Sequence, residues 1–358
     1  MNNHLVNVFF RVDANRQIGT GHLMRCQILA KKLQQIGMKC TFLLHKTPTF
    51  YEDQLKQKGY EVIYLTVLTM KYAERLAQLI HNHSHYPHNL LLIDSDEEFY
   101  YTVEFQEKIR FTRIKLMMIT FKYRDPFYAD IVHNQNLLAL EQNYKLAPYT
   151  QSLFGTKYVI LKDIYKTMNL TARKKNNQSV DTILINFGGA DRSNLTHKAL
   201  EAIYESNIHF ERVLVVVGSL YIAVNKLREL MRKHPDKNVS LHIDTDRMPQ
   251  FQLMADLAIS SGGLTAWELA CLKTPNFIIP TSIRESKSAE LMNQKKLVYH
   301  IGKGGEVTKK QIAEELNFIA EDHGGRALMA HCFYELVDAG GCDRVAESIA
   351  KLFVAKYV

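Results

Sequence analysis

Short apolar runs alternate with helical patterns along the chain. The clearest helical pattern covers residues 22–36, where apolar residues recur every three or four positions before Gly37. Short apolar strands separated by helices predict a parallel sheet covered on both faces. In the first half the predicted strands are 6–12, 40–44, 62–65, 90–93, 114–119 and 131–133, and the predicted helices are 22–36, 51–58, 70–82 and 97–110.

The same alternation restarts after a polar, basic stretch, which predicts a second domain. The expected architecture is α/β, with two doubly wound Rossmann-like domains facing a cleft. The predicted divisions are a first domain over 1–165, a linker over 166–180, a second domain over 181–325 and a helical tail over 326–358. The second-half strands are predicted at 182–187, 213–217, 239–243, 257–260, 277–280 and 298–301, and the helices at 194–205, 221–233, 248–254, 265–272, 288–297 and 309–320.

Composition narrows the class of partner. The chain has 358 residues, of which 46% are hydrophobic, and a formal net charge of +8. The charge favours anionic partners, but lysines and arginines are scattered and no nucleic-acid-reading motif occurs, so we expect a small anionic ligand and no nucleic acid. The five cysteines form no C-x-x-C pair, and no apolar run approaches the ~18 residues of a membrane helix. We therefore expect a cytoplasmic protein without a signal peptide or an integral membrane segment.

The segment 11–25 joins the first strand to the first helix and contains the first candidate site. Gly19 and Gly21 allow a ligand to approach the helix N-terminus closely, where free N–H groups favour negative charge. His22 follows at this N-terminus and, as a neutral imidazole, can accept a proton from water. Arg11 and Asp13 are expected beside the substrate. The alternative is a structural turn with a packed histidine.

Glycines follow two predicted strands of the second domain. Gly188 and Gly189 form one turn, after which Asp191 can cap a helix. In the second segment, 258–268, backbone N–H groups could bind a diphosphate and a glutamate could bind a ribose diol, although a capping role would also explain the glutamate. The candidate ligands of this segment are Ile259, Ser260, Ser261, Gly262, Gly263, Thr265 and Glu268.

Two further clusters carry weaker signals. The carboxylates Asp94 and Asp96 follow a strand and are candidate substrate ligands, although helix-start carboxylates are commoner. Four histidines between positions 81 and 88 lie in a polar loop without matching cysteine or carboxylate spacing, so we interpret them as a solvated loop. No metal site and no cofactor are expected.

The stretch from Arg11 to Gly37 resembles the N-terminal signature of the pseudaminic-acid pathway hydrolases. These enzymes remove UDP from UDP-2,4-diacetamido-2,4,6-trideoxy-β-L-altropyranose. Spore-coat polysaccharide proteins of the SpsG type are similar, and MurG-like GT-B glycosyltransferases are wider relatives. Further matching stretches follow in the family's order: Asp130, Asn134-Gln-Asn136, 153–165, 185–196, 259–275, Asn293-Gln294 and 337–344.

The resemblance implies a specific chemistry. A histidine equivalent to His22 would activate water at the anomeric carbon, with inversion and without a metal. The second domain would hold UDP, with Asn293 and Gln294 among its ligands. The chain departs from the family at Ser95 and Asp96, where His-Tyr is common, and at Phe121, where an Asp-Asp pair is common. These departures lie in the sugar-binding half and leave the sugar open.

Three functions therefore remain open at this point. The leading hypothesis is a hydrolase that releases UDP from a UDP-linked amino-deoxy sugar for surface glycan synthesis. The enzyme alternative is a glycosyltransferase that uses a sugar or lipid hydroxyl in place of water. The non-enzyme alternative is a degenerate nucleotide-sugar binding protein.

Overall fold

The computed structural model describes residues 5–140, 143–172 and 179–354 of the chain. These residues form two compact units. The first comprises described residues from 5–18, 22–161 and 340–354, and the second comprises those from 19–21 and 162–339. Among the described residues, no helix is long and apolar enough to cross a membrane.

The first unit contains a seven-stranded parallel sheet in the order β3-β2-β1-β4-β5-β7-β9. The central strands are buried along nearly their whole length, as parallel strands covered on both faces must be. The strands and helices are β1 (Val6–Val12), α1 (Gly21–Gln35), β2 (Lys39–Leu44), α2 (Thr49–Gln57), β3 (Glu61–Tyr64), α3 (Val67–Lys71), α4 (Ala73–His83), β4 (His88–Asp94), α5 (Val103–Phe111), β5 (Lys115–Ile119), β6 (Pro126–Phe127), β7 (Ile131–Asn134), β8 (Lys145–Leu146) and β9 (Gln151–Phe154).

The second unit repeats this design with a six-stranded parallel sheet in the order β12-β11-β10-β13-β14-β15. The two-domain α/β architecture is therefore confirmed. The elements are α6 (Ile164–Ala172), β10 (Thr182–Asn186), α7 (Leu195–Glu205), β11 (Arg212–Val217), α8 (Val224–Arg232), β12 (Val239–Ile243), α9 (Met248–Met254), β13 (Leu257–Ser260), α10 (Leu264–Cys271), β14 (Asn276–Ile278), α11 (Ile283–Gln294), β15 (Tyr299–His300), α12 (Lys309–Glu321) and α13 (His323–Leu336), while α14 (Gly341–Lys351) follows in the first unit.

The predicted linker 166–180 begins inside helix α6. Tyr165 and Ala172 are buried and lie seven residues apart, which places them on one helical face. The Tyr165 hydroxyl donates to Gln252 Oε1 at 2.6 Å, so the helix packs within the second unit. Polar residues lie between these two buried residues in the sequence, so the composition of the segment does not indicate a helix. Residues 173–178 of the predicted linker lie outside the described residues.

The predicted tail 326–358 divides between the two units. Helix α13 stays in the second unit, whereas α14 packs in the first against the 3₁₀ turn Thr156–Tyr158. Arg344 Nε donates to the Lys157 carbonyl at 2.7 Å, and Lys32 Nζ pairs with Asp343 at 3.0 Å. A side chain at Gly341 would collide with the Val159 backbone, so this approach requires glycine.

His133 on β7 is fully buried and gives a pH-dependent stability prediction. Its Nε2 lies 2.9 Å from the Tyr158 carbonyl oxygen, and burial lowers the pKa of its imidazole to about 4. Because this pKa is lower in the folded chain than in the unfolded chain, the unfolded state gains protons first as pH falls. We expect the His133 contribution to fall by about 3 kcal/mol between pH 7.5 and pH 4.

The measurement is the free energy of unfolding in urea across this pH range, for wild type and for His133→Gln. The glutamine amide can still donate to Tyr158 but does not titrate. The variant should therefore show a flatter pH dependence. Parallel curves for the two proteins would contradict the assignment.

Candidate active site

The candidate site of the first unit lies at the carboxyl ends of β1 and β4, which are neighbouring strands. Val12 and Asp94 are paired in register at these ends. His22 is the second residue of α1, which begins at Gly21 after the loop that follows β1. The chain thus brings a histidine and a carboxylate together at the sheet edge where ligands of open parallel sheets bind.

His22, Asp94 and Arg25 form one hydrogen-bonded cluster. His22 Nδ1 lies 2.7 Å from Asp94 Oδ1, and the His22 side chain is 16% exposed. Arg25 donates from both Nε and Nη2 to the Asp94 carboxylate in a bidentate pair. A carboxylate on Nδ1 fixes the Nδ1–H tautomer and leaves the Nε2 lone pair as the base.

In this cluster the negative charge of Asp94 balances the positive charge of Arg25. Burial alone would raise the pKa of the Asp94 carboxyl, but the charge of Arg25 and the pairing with His22 hold it well below its usual range. Arg25 also lies over the Phe121 ring, with 5.3 Å from Cζ to the ring centroid. Burial and the nearby Asp94 charge raise the pKa of the Cys26 thiol, which argues against a thiolate nucleophile.

The structure gives Asp94 a different role from the predicted substrate ligand. Its side chain is completely buried, and its oxygens already accept from His22 and Arg25. It therefore orients the histidine. Asp96 is exposed two residues later, where a ligand can reach it, and Ser95 Oγ accepts from the Glu97 backbone at 3.3 Å.

Arg11 and Asp13 also make contacts within the protein instead of facing a ligand. Arg11 is 0% exposed, and its Nη2 pairs with Asp13 Oδ2 at 2.6 Å. Asp13 Oδ1 accepts from the backbone N–H groups of His45 and Lys46, both at 2.8 Å. Together they fix the loop after β2, so we remove them from the set of substrate ligands.

The two glycines predicted beside the substrate occupy different positions: Gly19 lies in the loop before α1, and Gly21 is the first residue of α1. Gly19 has a φ of +85°, which favours glycine whatever the space around it. Gly21 is exposed and begins α1, and a Cβ at either glycine would meet no atom within 4 Å. Neither is therefore required by close packing within the chain.

The candidate site of the second unit lies at the carboxyl ends of β10 and β13. Asn186 and Ser260 are paired in register there. Thr265 Oγ1 donates to Asn186 Oδ1 at 3.3 Å, which links the loops that follow the two strands. Gly188 turns the first loop with a φ of +78°, Gly189 follows it, and both remain beside Asn186. In the same loop Asp191 caps α7, as predicted.

Helix α10 begins directly after the second loop. Gly263 is its N-cap residue and supplies no side-chain cap, so the first N–H groups remain available to an anion. Ser261 and Thr265 flank this helix end with hydroxyls. Ser261, Gly262, Gly263 and Thr265 are thus brought together.

The Ile259 and Ser260 side chains are buried, although the Ser260 hydroxyl also lies 3.0 Å from the carbonyl oxygen of Ser261 in this loop. Both are buried in β13, and Ser260 Oγ donates to Asn276 Oδ1 at 2.9 Å. Glu268, one turn into α10, accepts from Gln252 Nε2 at 2.9 Å. Its low-dielectric surroundings raise the pKa of its carboxyl. Glu268 therefore remains a candidate ligand, while Ile259 and Ser260 support the strand.

The structure does not bring Asn293 and Gln294 to the glycine loop. Helix α11 begins at Ile283 instead of the predicted 288, so these exposed amides lie in its last turn. The helix contacts the loop through Glu285, which lies eight residues earlier, or about 12 Å along the axis. The two amides therefore lie away from the glycine loop, and their role as UDP ligands stays a prediction.

The sequence prediction did not include two residues that contact the candidate site residues, Arg25 and Gln252. Arg25 lies three residues after His22, on the same helical face, and this spacing was a usable signal. Gln252 on α9 reaches Glu268 from another element, which no local pattern indicates. In the described part of the chain no group of three or more His, Cys, Asp or Glu side chains could hold a metal ion.

Comparison with curated proteins gives three distant relatives. An uncharacterized protein of Methanocaldococcus jannaschii is 27% identical over 277 residues, which span 75% of this chain and only 54% of that protein. The UDP-2,4-diacetamido-2,4,6-trideoxy-beta-L-altropyranose hydrolase of Campylobacter jejuni is 23% identical, over 81% of this chain and 97% of its own. The spore coat polysaccharide biosynthesis protein SpsG of Bacillus subtilis is 22% identical, over 95% of this chain and 97% of its own. No family model matches the chain.

Solved structures share the fold across nearly the whole chain. MurG of Acinetobacter baumannii has a TM-score of 0.66 at 14% identity, over 96% of this chain and 99% of its own. Anabaena HepE, in complex with UDP and glucose, has a TM-score of 0.59 at 13% identity over the same shares. The chain therefore has the two-domain α/β fold of GT-B glycosyltransferases such as MurG.

Proposed function

We propose that the protein is an enzyme that hydrolyses a UDP-linked sugar. The observation that carries this proposal is the His22–Asp94 pair, in which a buried carboxylate held by Arg25 orients an accessible imidazole. The same constellation of base and orienting carboxylate activates oxygen nucleophiles in other folds. The second unit contributes the nucleotide half through the open N-terminus of α10.

The reaction follows from these roles. His22 Nε2 takes a proton from water, whose oxygen forms a bond to the anomeric carbon of the sugar. The bond between this carbon and the β-phosphate oxygen breaks, and its electron pair leaves on UDP. Asp94 stays ionised and stabilises the imidazolium, since its pKa lies well below the usual range.

The likeness to the Campylobacter jejuni hydrolase supports a UDP-linked diacetamido-trideoxy sugar as substrate. The place of such a reaction is nonulosonic acid and surface glycan biosynthesis. Asp96 and Phe121 stand where we expect the sugar and differ from the family pattern. We therefore propose UDP as the nucleotide, whereas for the sugar we propose only its class.

Incubation with UDP-sugars and no acceptor tests the reaction directly. Mass spectrometry should detect UDP and free sugar in equal amounts. Turnover that appears only after addition of an acceptor would replace hydrolysis by transfer. UDP binding without turnover of any candidate sugar would leave a nucleotide-sugar binding protein.

Transfer is the second candidate because the first unit exposes apolar side chains after β2 and β3. Phe50, Val67, Leu68 and Tyr72 are between 48% and 54% exposed. Exposed apolar residues near a sheet edge would suit an acceptor carried on a lipid. The same incubation with a lipid-linked hydroxyl added distinguishes this candidate from the hydrolase.

Replacement of Thr265 tests the nucleotide half. Thr265→Val keeps the side-chain shape and removes a hydroxyl that we assign to the diphosphate, to which it would donate in place of Asn186 Oδ1. Because hydrogen bonds to charged groups contribute about 1.5–3 kcal/mol, UDP affinity should fall roughly 10- to 100-fold. Titration calorimetry measures this loss, with exposed Thr49→Val as the matched control. Equal affinities for the two variants would remove Thr265 from the site.

A further inference from the structure

Glu285 places a carboxylate beside the glycine loop that precedes α10. A Cβ built on Gly263 would lie 3.5 Å from Glu285 Oε1, and one built on Gly262 would lie 3.2 Å from Glu285 Cβ. Because Gly263 is the N-cap residue of α10, this carboxylate lies next to the N–H groups that we assign to the diphosphate.

Local hydrogen bonds hold the Glu285 side chain at this position. Its Oε2 accepts from the Thr281 backbone N–H at 2.7 Å and from the Thr281 hydroxyl at 2.6 Å. Its own backbone N–H donates to the Ser282 hydroxyl, which caps α11, at 3.2 Å. Movement away from the loop would break the Thr281 bonds, so the negative charge is fixed.

A fixed negative charge affects the substrate and the product differently. The diphosphate of a UDP-sugar carries one negative charge on each phosphate, because each phosphate has one ester bond and one anhydride bond and therefore one ionised oxygen. In free UDP the terminal phosphate has a second ionisation with a pKa of about 6, so UDP carries nearly one additional charge at pH 7.5. Glu285 therefore repels free UDP more strongly than it repels the UDP-sugar.

We propose that Glu285 promotes release of the UDP product by electrostatic repulsion. The proposal rests on the proposed function, since it takes the α10 N-terminus as the diphosphate site. The repulsion increases when the bond to the sugar breaks, because the electron pair of that bond stays on the terminal phosphate as its additional negative charge. Glu285 thereby limits inhibition by accumulated UDP. It acts through its charge and takes no part in the making or breaking of bonds.

The test compares the affinities of wild type and Glu285→Gln for UDP and for UDP-N-acetylglucosamine at pH 7.5 by titration calorimetry. Glutamine keeps the acceptor for Thr281 and removes the charge. We expect UDP to bind about tenfold more tightly to the variant and UDP-N-acetylglucosamine to gain clearly less. At pH 5.5, where UDP loses its additional charge, the two gains should become similar.

Glu290→Gln, an exposed glutamate later on α11, is the matched control and should change neither affinity. Equal gains for the two ligands at pH 7.5, or no gain for UDP, would overturn the proposal while leaving UDP binding in place. Absence of nucleotide binding to wild type and to the variant would instead overturn the proposed function, and this inference with it.

Discussion

His22→Ala is expected to lower the rate of UDP release from the UDP-sugar substrate by ~10²–10⁴, because removal of a general base has effects of this size. The affinity for UDP should remain close to that of wild type. The reason is that we assign the nucleotide contacts to the second unit, on the loops after β10 and β13. Turnover by mass spectrometry and UDP affinity by calorimetry measure the two effects separately.

Two further variants sharpen this result. Asp94→Asn keeps the side-chain volume but removes the charge and replaces one of the two acceptor oxygens by an N–H donor. The His22 tautomer is then no longer fixed, so turnover should also collapse. His85→Ala replaces an exposed histidine of the same unit and should leave turnover unchanged. Near-normal turnover in His22→Ala would exclude His22 from the mechanism.

Asp94→Ala should also destabilise the protein, by about 3–5 kcal/mol, which is the second large effect that we expect. Arg25 is buried at the carboxylate and would lose both bonds of its bidentate pair. An uncompensated buried guanidinium is costly because no water replaces the lost partner. Urea unfolding near pH 7 measures the change in the free energy of unfolding.

A double-mutant cycle measures the interaction energy between Arg25 and Asp94. Removal of both partners in Arg25→Met/Asp94→Leu should cost clearly less than the sum of the two single replacements, because no buried charge remains unpaired. Additive losses would show that the two side chains contribute independently. The cycle reads stability alone, so it does not depend on the identity of the substrate.

The sheet elements could be predicted from the sequence because buried parallel strands leave a strong local signal. The predicted strand 239–243 and helix 248–254 have the bounds that the structure gives. The short strand β9 lacks such a signal, since two of its four residues are exposed. Helix α6 was missed because its buried residues are separated by polar ones.

For the candidate site, the sequence predicted the positions of the backbone loops better than the directions of the side chains. Glycines at strand ends locate both loops, because the chain must turn there whatever the ligand. The direction of a side chain depends on tertiary partners, which explains why Arg11 and Asp94 bind within the protein. Asn293 shows a third cause. Helix α11 starts at Ile283, five residues before the predicted start at 288, and the residue of this helix that contacts the loop is Glu285.

The position of α14 affects how the chain could be divided or truncated. The second unit is continuous from 162 to 339 apart from Gly19–Gly21, whereas the first unit needs both ends of the chain. A premature stop codon after residue 339 would therefore damage the first unit, although it leaves all seven strands of its sheet in place. During synthesis the first unit lacks α14 until the second unit has been translated, although its seven-stranded sheet precedes that unit in the chain.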